Sequence, residues 1–190
     1  MSKAATDFSV SDKTYDSTDD YAELLVGCGN NRAKKVWSAG MIEEKFNCLT
    51  TLDMDSAANP DVIHDLMDLP YPFEDGAFNE IHAYDVLEHT GNQGDWRFFF
   101  DQFSEFWRIL RPGGYLCGSV PAWDSVWAWG DPGHTRILSE AALIFLNQRE
   151  YKLQIGKTAM TDYRNYWQHN FELIANKYED DGFAFVLQKS

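Results

Sequence analysis

Positive charge is what this sequence has least of: 16 Lys and Arg stand against 30 Asp and Glu, a formal net charge of −14. A surface of that sign repels phosphate backbones and anionic headgroups, so nucleic-acid polymers and membranes drop out as expected partners. Cysteine is scarce too. The three present, Cys28, Cys48 and Cys117, are odd in number and fit neither a disulfide framework nor a zinc-ligand spacing, which predicts reduced, packed thiols. No run approaches the roughly 18 apolar residues of a membrane span. Met1 to Asp20 is polar and acidic, unlike the basic and then apolar start of a secretory leader, so a soluble, unexported, cytoplasmic chain is expected. No Pro-rich or Gly/Ser-rich linker and no internal repeat interrupts the 190 residues, a length that suits one domain. The residue spacing shows no metal-ligand cluster, Ser/His/Asp triad or Walker loop.

What is present is a chain rich enough in apolar residues to build a core, 44% of the total with 15% aromatic. Residues 1–20, with five aspartates and no period, read as a flexible acidic arm before a domain over 21–190. Apolar runs then alternate with helical patterns: Ala22–Val26, a helix near Ala33–Glu44, then Cys48–Leu52, Val62–Ile63 and Ile81–Tyr84. That alternation predicts an α/β, doubly wound, mostly parallel sheet. Asp95–Leu110 has the clearest helical period, with Phe99, Phe103, Phe106, Trp107 and Leu110 on one stripe, and Arg111-Pro112-Gly113-Gly114 stops it. Tyr115–Val120 reads as a buried strand and Ser139–Asn147 as a helix capped by Ser139. At the end, Phe171–Tyr178 and Phe183–Gln188 flank an Asp-Gly pair suited to a tight turn, predicting a C-terminal antiparallel hairpin.

The run Leu24 to Arg32 takes a buried strand into a glycine turn and a candidate helix N-terminus, a nucleotide-binding arrangement. Gly27 and Gly29 let backbone approach a ligand closely, and Asn31 stands where a third glycine often occurs. The next strand ends in Asp53, placing a carboxylate where ribose hydroxyls are held in doubly wound folds, while Asp55 reads as a solvated strand-end acid. No glycine follows at position 32, which weakens a pyrophosphate ligand and with it a nicotinamide oxidoreductase.

Beyond the turn the chain reads His64-Asp65-Leu66, Leu69-Pro70-Tyr71-Pro72-Phe73, Asp75 to Ile81, Val86-Leu87-Glu88-His89 and Leu110-Arg111-Pro112-Gly113-Gly114. In order and spacing, over residues 22 to about 121, this resembles the class I S-adenosylmethionine-dependent methyltransferases, most of all their small bacterial and phage-type members. The resemblance implies a seven-stranded Rossmann-like sheet and S-adenosylmethionine as cofactor. It also implies site roles: Gly27 and Gly29 under the methionine part, Asp53 at the ribose, Asp65 and the Leu66 backbone at the adenine edge, and Asp85 close to the methionine end, with Cys28 and Met54 as further cofactor-binding residues. Asn31 and Asn79 depart from the family's usual glycine and aspartate. Glu88 and His89 fit either a loop cap or a direct contact with cofactor or acceptor.

Methyl transfer from a sulfonium works largely by alignment in a dry site, but a hydroxyl or protonated amine acceptor needs a base. His134 is the first candidate and His89 the second; His169 is a distant third, and His64 and His82 read as packing or turn residues. Asp131, His134 and Arg136 form a D-P-x-H-x-R element like one carried by similar proteins, for which a structural role fits equally. Trp123, Trp127 and Trp129, with Tyr163, Tyr166 and Trp167, suit either a lid and acceptor pocket or packing at the domain end. The expected activity is methylation of a small-molecule or glycan-type acceptor; a non-catalytic S-adenosylmethionine-binding module is the alternative.

Overall fold

A computed structural model describes residues 6–8, 21–38 and 45–190. Its elements in chain order are β1 (Thr6–Phe8), β2 (Ala22–Val26), β3 (Val36–Ser38), β4 (Cys48–Asp53), β5 (Val62–Ile63), β6 (Phe78–Tyr84), α1 (Trp96–Ile109), β7 (Leu110–Pro121), α2 (Val126–Gly130), α3 (Glu140–Leu143), α4 (Gln148–Gln154), β8 (Phe171–Glu179) and β9 (Gly182–Lys189). Seven strands form one sheet in the order β5-β4-β2-β6-β7-β9-β8, and β1 and β3 form a separate parallel pair. Within the seven-stranded sheet β9 alone runs antiparallel to its neighbours, as the second arm of the C-terminal hairpin.

The central strands are covered on both faces, which is why β2 reads as a continuous apolar run in which Leu24, Leu25 and Val26 are all buried. One face packs on α1 in a core containing Leu24, Val26, Ile81, Phe100, Phe103 and Phe106. The other carries a smaller cluster of Leu25, Cys28, Val36, Tyr84, Tyr115, Cys117 and Val186. Asp95 caps α1 by accepting from the Phe98 amide at 3.1 Å. Its buried stripe is Phe100, Phe103, Phe106 and Ile109, so the expected stripe is shifted: Phe99 and Trp107 lie at the margin, the Trp107 indole donating to Asn170 O, and Leu110 already belongs to β7.

Other expectations need correction. The helix predicted near Ala33–Glu44 does not start: 31–35 are irregular and Val36–Ser38 is a strand, while 39–44 lie outside the described residues. The cause is tertiary. Lys34 is drawn into the core to meet Glu23 and Glu80, and the Val36 amide donates to the Tyr84 hydroxyl, partners that a surface helix would forgo. Of the expected acidic arm, Thr6–Phe8 forms strand β1, paired with β3, and the rest lies outside the described residues. The predicted helix over Ser139–Asn147 is α3 followed by a 3-10 turn at Ile144–Leu146, and Ser139 stands at the N-cap without a side-chain bond. In the hairpin Glu179 pairs with Gly182, so the turn residues are Asp180 and Asp181, and the left-handed one is Asp180. No disulfide joins the described cysteines; Cys28 and Cys117 are packed, but Cys48 is exposed. No described helix is long and apolar enough to cross a membrane.

The smaller face also holds a closed ionic network. The Lys34 ammonium lies 2.6 Å from both Glu23 Oε1 and Glu80 Oε2, all three side chains being almost fully buried. His82 donates from Nε2 to Glu80 at 2.8 Å and accepts from the Tyr84 hydroxyl at Nδ1, 2.6 Å away. Burial holds this imidazole neutral, below the usual histidine range. Burial would raise Glu80, but the hydrogen bond from His82 and the charge and hydrogen bond of Lys34 outweigh it and hold the carboxyl down to about 2.

Candidate functional site

Because β2, β4, β5, β6 and β7 are parallel, the segments leaving their carboxyl ends share one edge of the sheet. From β2 the chain order runs to β4 on one side and to β6 on the other, the reversal at which α/β sheets open a crevice. The glycine turn leaves β2 at this reversal. Gly27 has φ +59°, and a Cβ there would lie 2.4 Å from Val86 Cγ2, so the turn needs glycine for both dihedral and space. Gly29 has φ +46° and no described residue comes within 4 Å of where its Cβ would be, so among the described residues the space beside it is open. The Gly29 amide donates to Asp53 Oδ2 at 2.8 Å and the Asp55 amide to Asp53 Oδ1 at 2.9 Å, which aims the Asp53 carboxylate at the turn. Arg32 clamps the same turn by donating to the Cys28, Gly29 and Ala58 carbonyls. Burial pushes the Cys28 thiol up, away from reactive thiolate character.

Around this turn stand the other predicted cofactor residues. Met54 is 67% exposed, unusual for a large apolar side chain. Asp65 accepts from the Met67 amide at 2.8 Å, and Leu66 is buried beside it. Asp85, left-handed at φ 54°, meets Lys35 Nζ at 3.0 Å and accepts from Ser119 Oγ at 3.1 Å. Asp55 caps a short 3-10 turn through the Ala57 amide. The predicted cofactor residues therefore occupy one edge.

The predicted catalytic histidines meet next to them. The loop after β7 is laced to the turn after β6: the Thr135 amide donates to Glu88 O, and Arg136 donates to Leu87 O at 2.8 Å, Thr90 Oγ1 at 2.9 Å and Gln102 Oε1. Burial lowers the Arg136 guanidinium to about 10, still charged at neutral pH. The His89 and His134 rings lie edge to face with centroids 4.6 Å apart. Each donates from Nδ1 to a carbonyl, His89 to Gly133 O at 3.0 Å and His134 to Trp127 O at 2.9 Å. Glu88 is only 3% exposed, and its Oε2 has no hydrogen-bond partner among the described residues. Burial, with the Asp85 charge nearby, pushes this carboxyl up to about 7.

Elsewhere the predicted groups separate. His64 bonds within its turn to Asp68 O, His82 belongs to the buried network, and His169 stacks on Trp107 just before β8, at the opposite edge of the sheet. Trp123, Trp127 and Trp129 are exposed around α2. Tyr163 instead joins Trp96, Phe99, Ile137 and Phe145 in lining a cleft of about 230 Å³ that also touches Asp95 and Arg136. Trp167 is core and Tyr166 donates to Asp101. Spacing alone could not reveal the meeting of Glu88 and His89 with His134, which comes about through the hydrogen bonds that lace the two loops together.

No family model and no curated protein sequence matches the chain. Solved structures do. A SAM-dependent methyltransferase from Archaeoglobus fulgidus superposes with a TM-score of 0.55 at 13% identity, covering 90% of this chain and 87% of that one. A SAM-dependent methyltransferase from Methanosarcina mazei gives 0.52 at 16%, covering 91% and 94%. The N-methyltransferase NodS from Bradyrhizobium japonicum, solved with S-adenosyl-L-homocysteine, gives 0.52 at 12%, covering 89% and 78%.

Proposed function

The fold is that of the SAM-dependent methyltransferases, and from that premise we propose that the protein is itself an S-adenosylmethionine-dependent methyltransferase acting on a small-molecule or glycan-type acceptor in the cytoplasm. Residues 21–190 are its catalytic domain. The observation that carries this reading is the Asp53 carboxylate bonded to the Gly29 amide at the reversal of strand order, with open space beside Gly29. In this reading Gly27, Cys28 and Gly29 underlie the methionine part, Asp53 accepts from the ribose hydroxyls, and Met54 offers an apolar face beside it. Asp65 and the Leu66 backbone meet the adenine edge, and Asp85 faces the amino-acid end.

Bound there, S-adenosylmethionine supplies a methyl carbon activated by its sulfonium, which passes in line to the acceptor's lone pair while the C–S electron pair stays on sulfur. The protein's part is to align the acceptor, exclude water and take up its proton. In this reading His134, or His89 beside it, takes up the acceptor's proton, and the aromatic cleft lined by Trp96, Phe99, Phe145 and Tyr163 suits a small acceptor. Calorimetry tests the reading: the chain binds S-adenosylmethionine and S-adenosylhomocysteine but not NAD, and Asp53→Ala weakens S-adenosylhomocysteine by about 1–3 kcal/mol, the cost of stranding polar partners. Unchanged affinity in that variant removes Asp53 from the site. Binding without transfer from labelled donor to a metabolite extract would instead favour a non-catalytic module.

A further inference from the structure

Three side chains with ligand atoms converge at the carboxyl edge: one such atom from each of Glu88, His89 and His134 lies within 4.8 Å of the other two. Three observations together give this cluster a purpose. First, Glu88 is almost wholly removed from water, yet its Oε2 has no hydrogen-bond partner among the described residues. A buried carboxylate left in that state is costly unless a cation meets it. The neighbouring Arg136 acts on Glu88 through its charge alone, since its hydrogen bonds go to Leu87 O, Thr90 and Gln102, and Oε2 stays without a partner among the described residues.

Second, both histidines are held in the same tautomer. A carbonyl oxygen can only accept, so the bonds to Gly133 O and Trp127 O place the proton on Nδ1 of each ring and leave the lone pair on Nε2. A carbonyl fixing one ring nitrogen so that the other is free to ligate is the usual support of metal-bound histidine. Third, a further carboxylate stands by: Asp131 Oδ2 lies 3.8 Å from His134 Nε2, steadied by the Gly133 amide at its other oxygen.

We propose that Glu88, His89 and His134 form a binding site for a divalent transition-metal cation, with Asp131 within reach as a further or water-mediated ligand. Two imidazoles and one carboxylate suit a cation such as Zn²⁺, Mn²⁺, Co²⁺ or Fe²⁺ better than Ca²⁺ or Mg²⁺, which prefer all-oxygen shells. Three protein ligands leave coordination positions for water or an acceptor oxygen. That last role rests on the methyltransferase reading, and in it His89 and His134 serve as ligands instead of free bases; the metal site itself does not depend on it.

The test uses the untagged chain, stripped with EDTA and titrated with Co²⁺ by visible absorption and with Zn²⁺ by calorimetry. The expected result is one site per chain, a metal-dependent rise in Tm, and at least a roughly tenfold weaker affinity in each of Glu88→Gln, His134→Ala and His89→Ala. His89 is exposed, so its replacement keeps the test meaningful should the more buried variants fail to fold. No saturable metal binding, or an affinity unchanged in His89→Ala and His134→Ala, would overturn the site. Calorimetry with S-adenosylhomocysteine in EDTA tests the cofactor reading separately, so either proposal can fail while the other stands.

Discussion

Strand β6 contributes to two carboxylate–histidine clusters, one within it and one just past its end. In the first, Glu80 and His82 are buried with Glu23, and the chain supplies its own cation in Lys34, 2.6 Å from both acids. In the second, Glu88 is equally removed from water, but its Oε2 has no hydrogen-bond partner among the described residues, and Arg136 acts on it only through its charge. The same residue types thus make a closed network in one place and an unfinished one in the other. A charge cluster completed by a covalently attached ammonium is a structural element; one whose buried carboxylate oxygen has no bonded partner at the ligand edge has a use for something from outside.

The comparison can be broken at several points. The largest effect is expected for Lys34→Met, which leaves Glu23 and Glu80 facing each other in a dry core and costs about 3–5 kcal/mol in denaturant unfolding. Little or no loss would mean that the network is not a closed one. Next comes Arg136→Met, which removes the ties between the two loops of the second cluster; a loss of about 2–3 kcal/mol is expected, together with weaker Co²⁺ binding. Acid then separates the clusters. Burial lowers His82 in the folded chain, so below about pH 6.5 the unfolded chain takes up a proton that the folded one refuses, and stability falls as pH drops from 7 to 6 by at most about 1.4 kcal/mol per group. Half-buried His169, also lowered by burial, acts in the same sense. Glu88, raised to about 7, acts in the opposite one, so the measurement is made in Glu88→Gln; stability that stays flat or rises there contradicts a neutral His82. The smallest effect is expected for Lys35→Ala, which breaks the partly exposed pair with Asp85 and a contact over the Tyr84 ring and changes stability by less than about 1 kcal/mol.

Much of this architecture was legible in the residues. The strands β2, β4, β5, β6 and β7, the capped helix α1 and the terminal hairpin all announce themselves through short apolar runs, a helical period or a turn sequence. The Gly27 turn and Asp53 were legible as a pair because the ends of adjacent parallel strands fall at the same edge. What failed was decided by distant contacts. Residues 33–38 carry no local signal that Lys34 would be drawn into the core or that the Val36 amide would bond to Tyr84, 48 positions on. Cys48 is expected to be packed from the number and spacing of the cysteines, which say nothing of burial, yet as the first residue of β4 it is exposed. The second cluster was hidden for the same reason: His89 reaches Gly133 across 44 positions, and only the folded chain shows that the two loops are laced together.

The Asp53 carboxylate is tethered at both oxygens by main-chain amides, Gly29 on one side and Asp55 on the other. A side chain so moored keeps one rotamer before anything arrives, and the entropy of fixing it is incurred during folding instead of at the encounter. Adding a single methylene there, in Asp53→Glu, would preserve charge and chemistry but slip both moorings. Loss of affinity on that change alone would show that position, more than negative charge, is what the edge supplies.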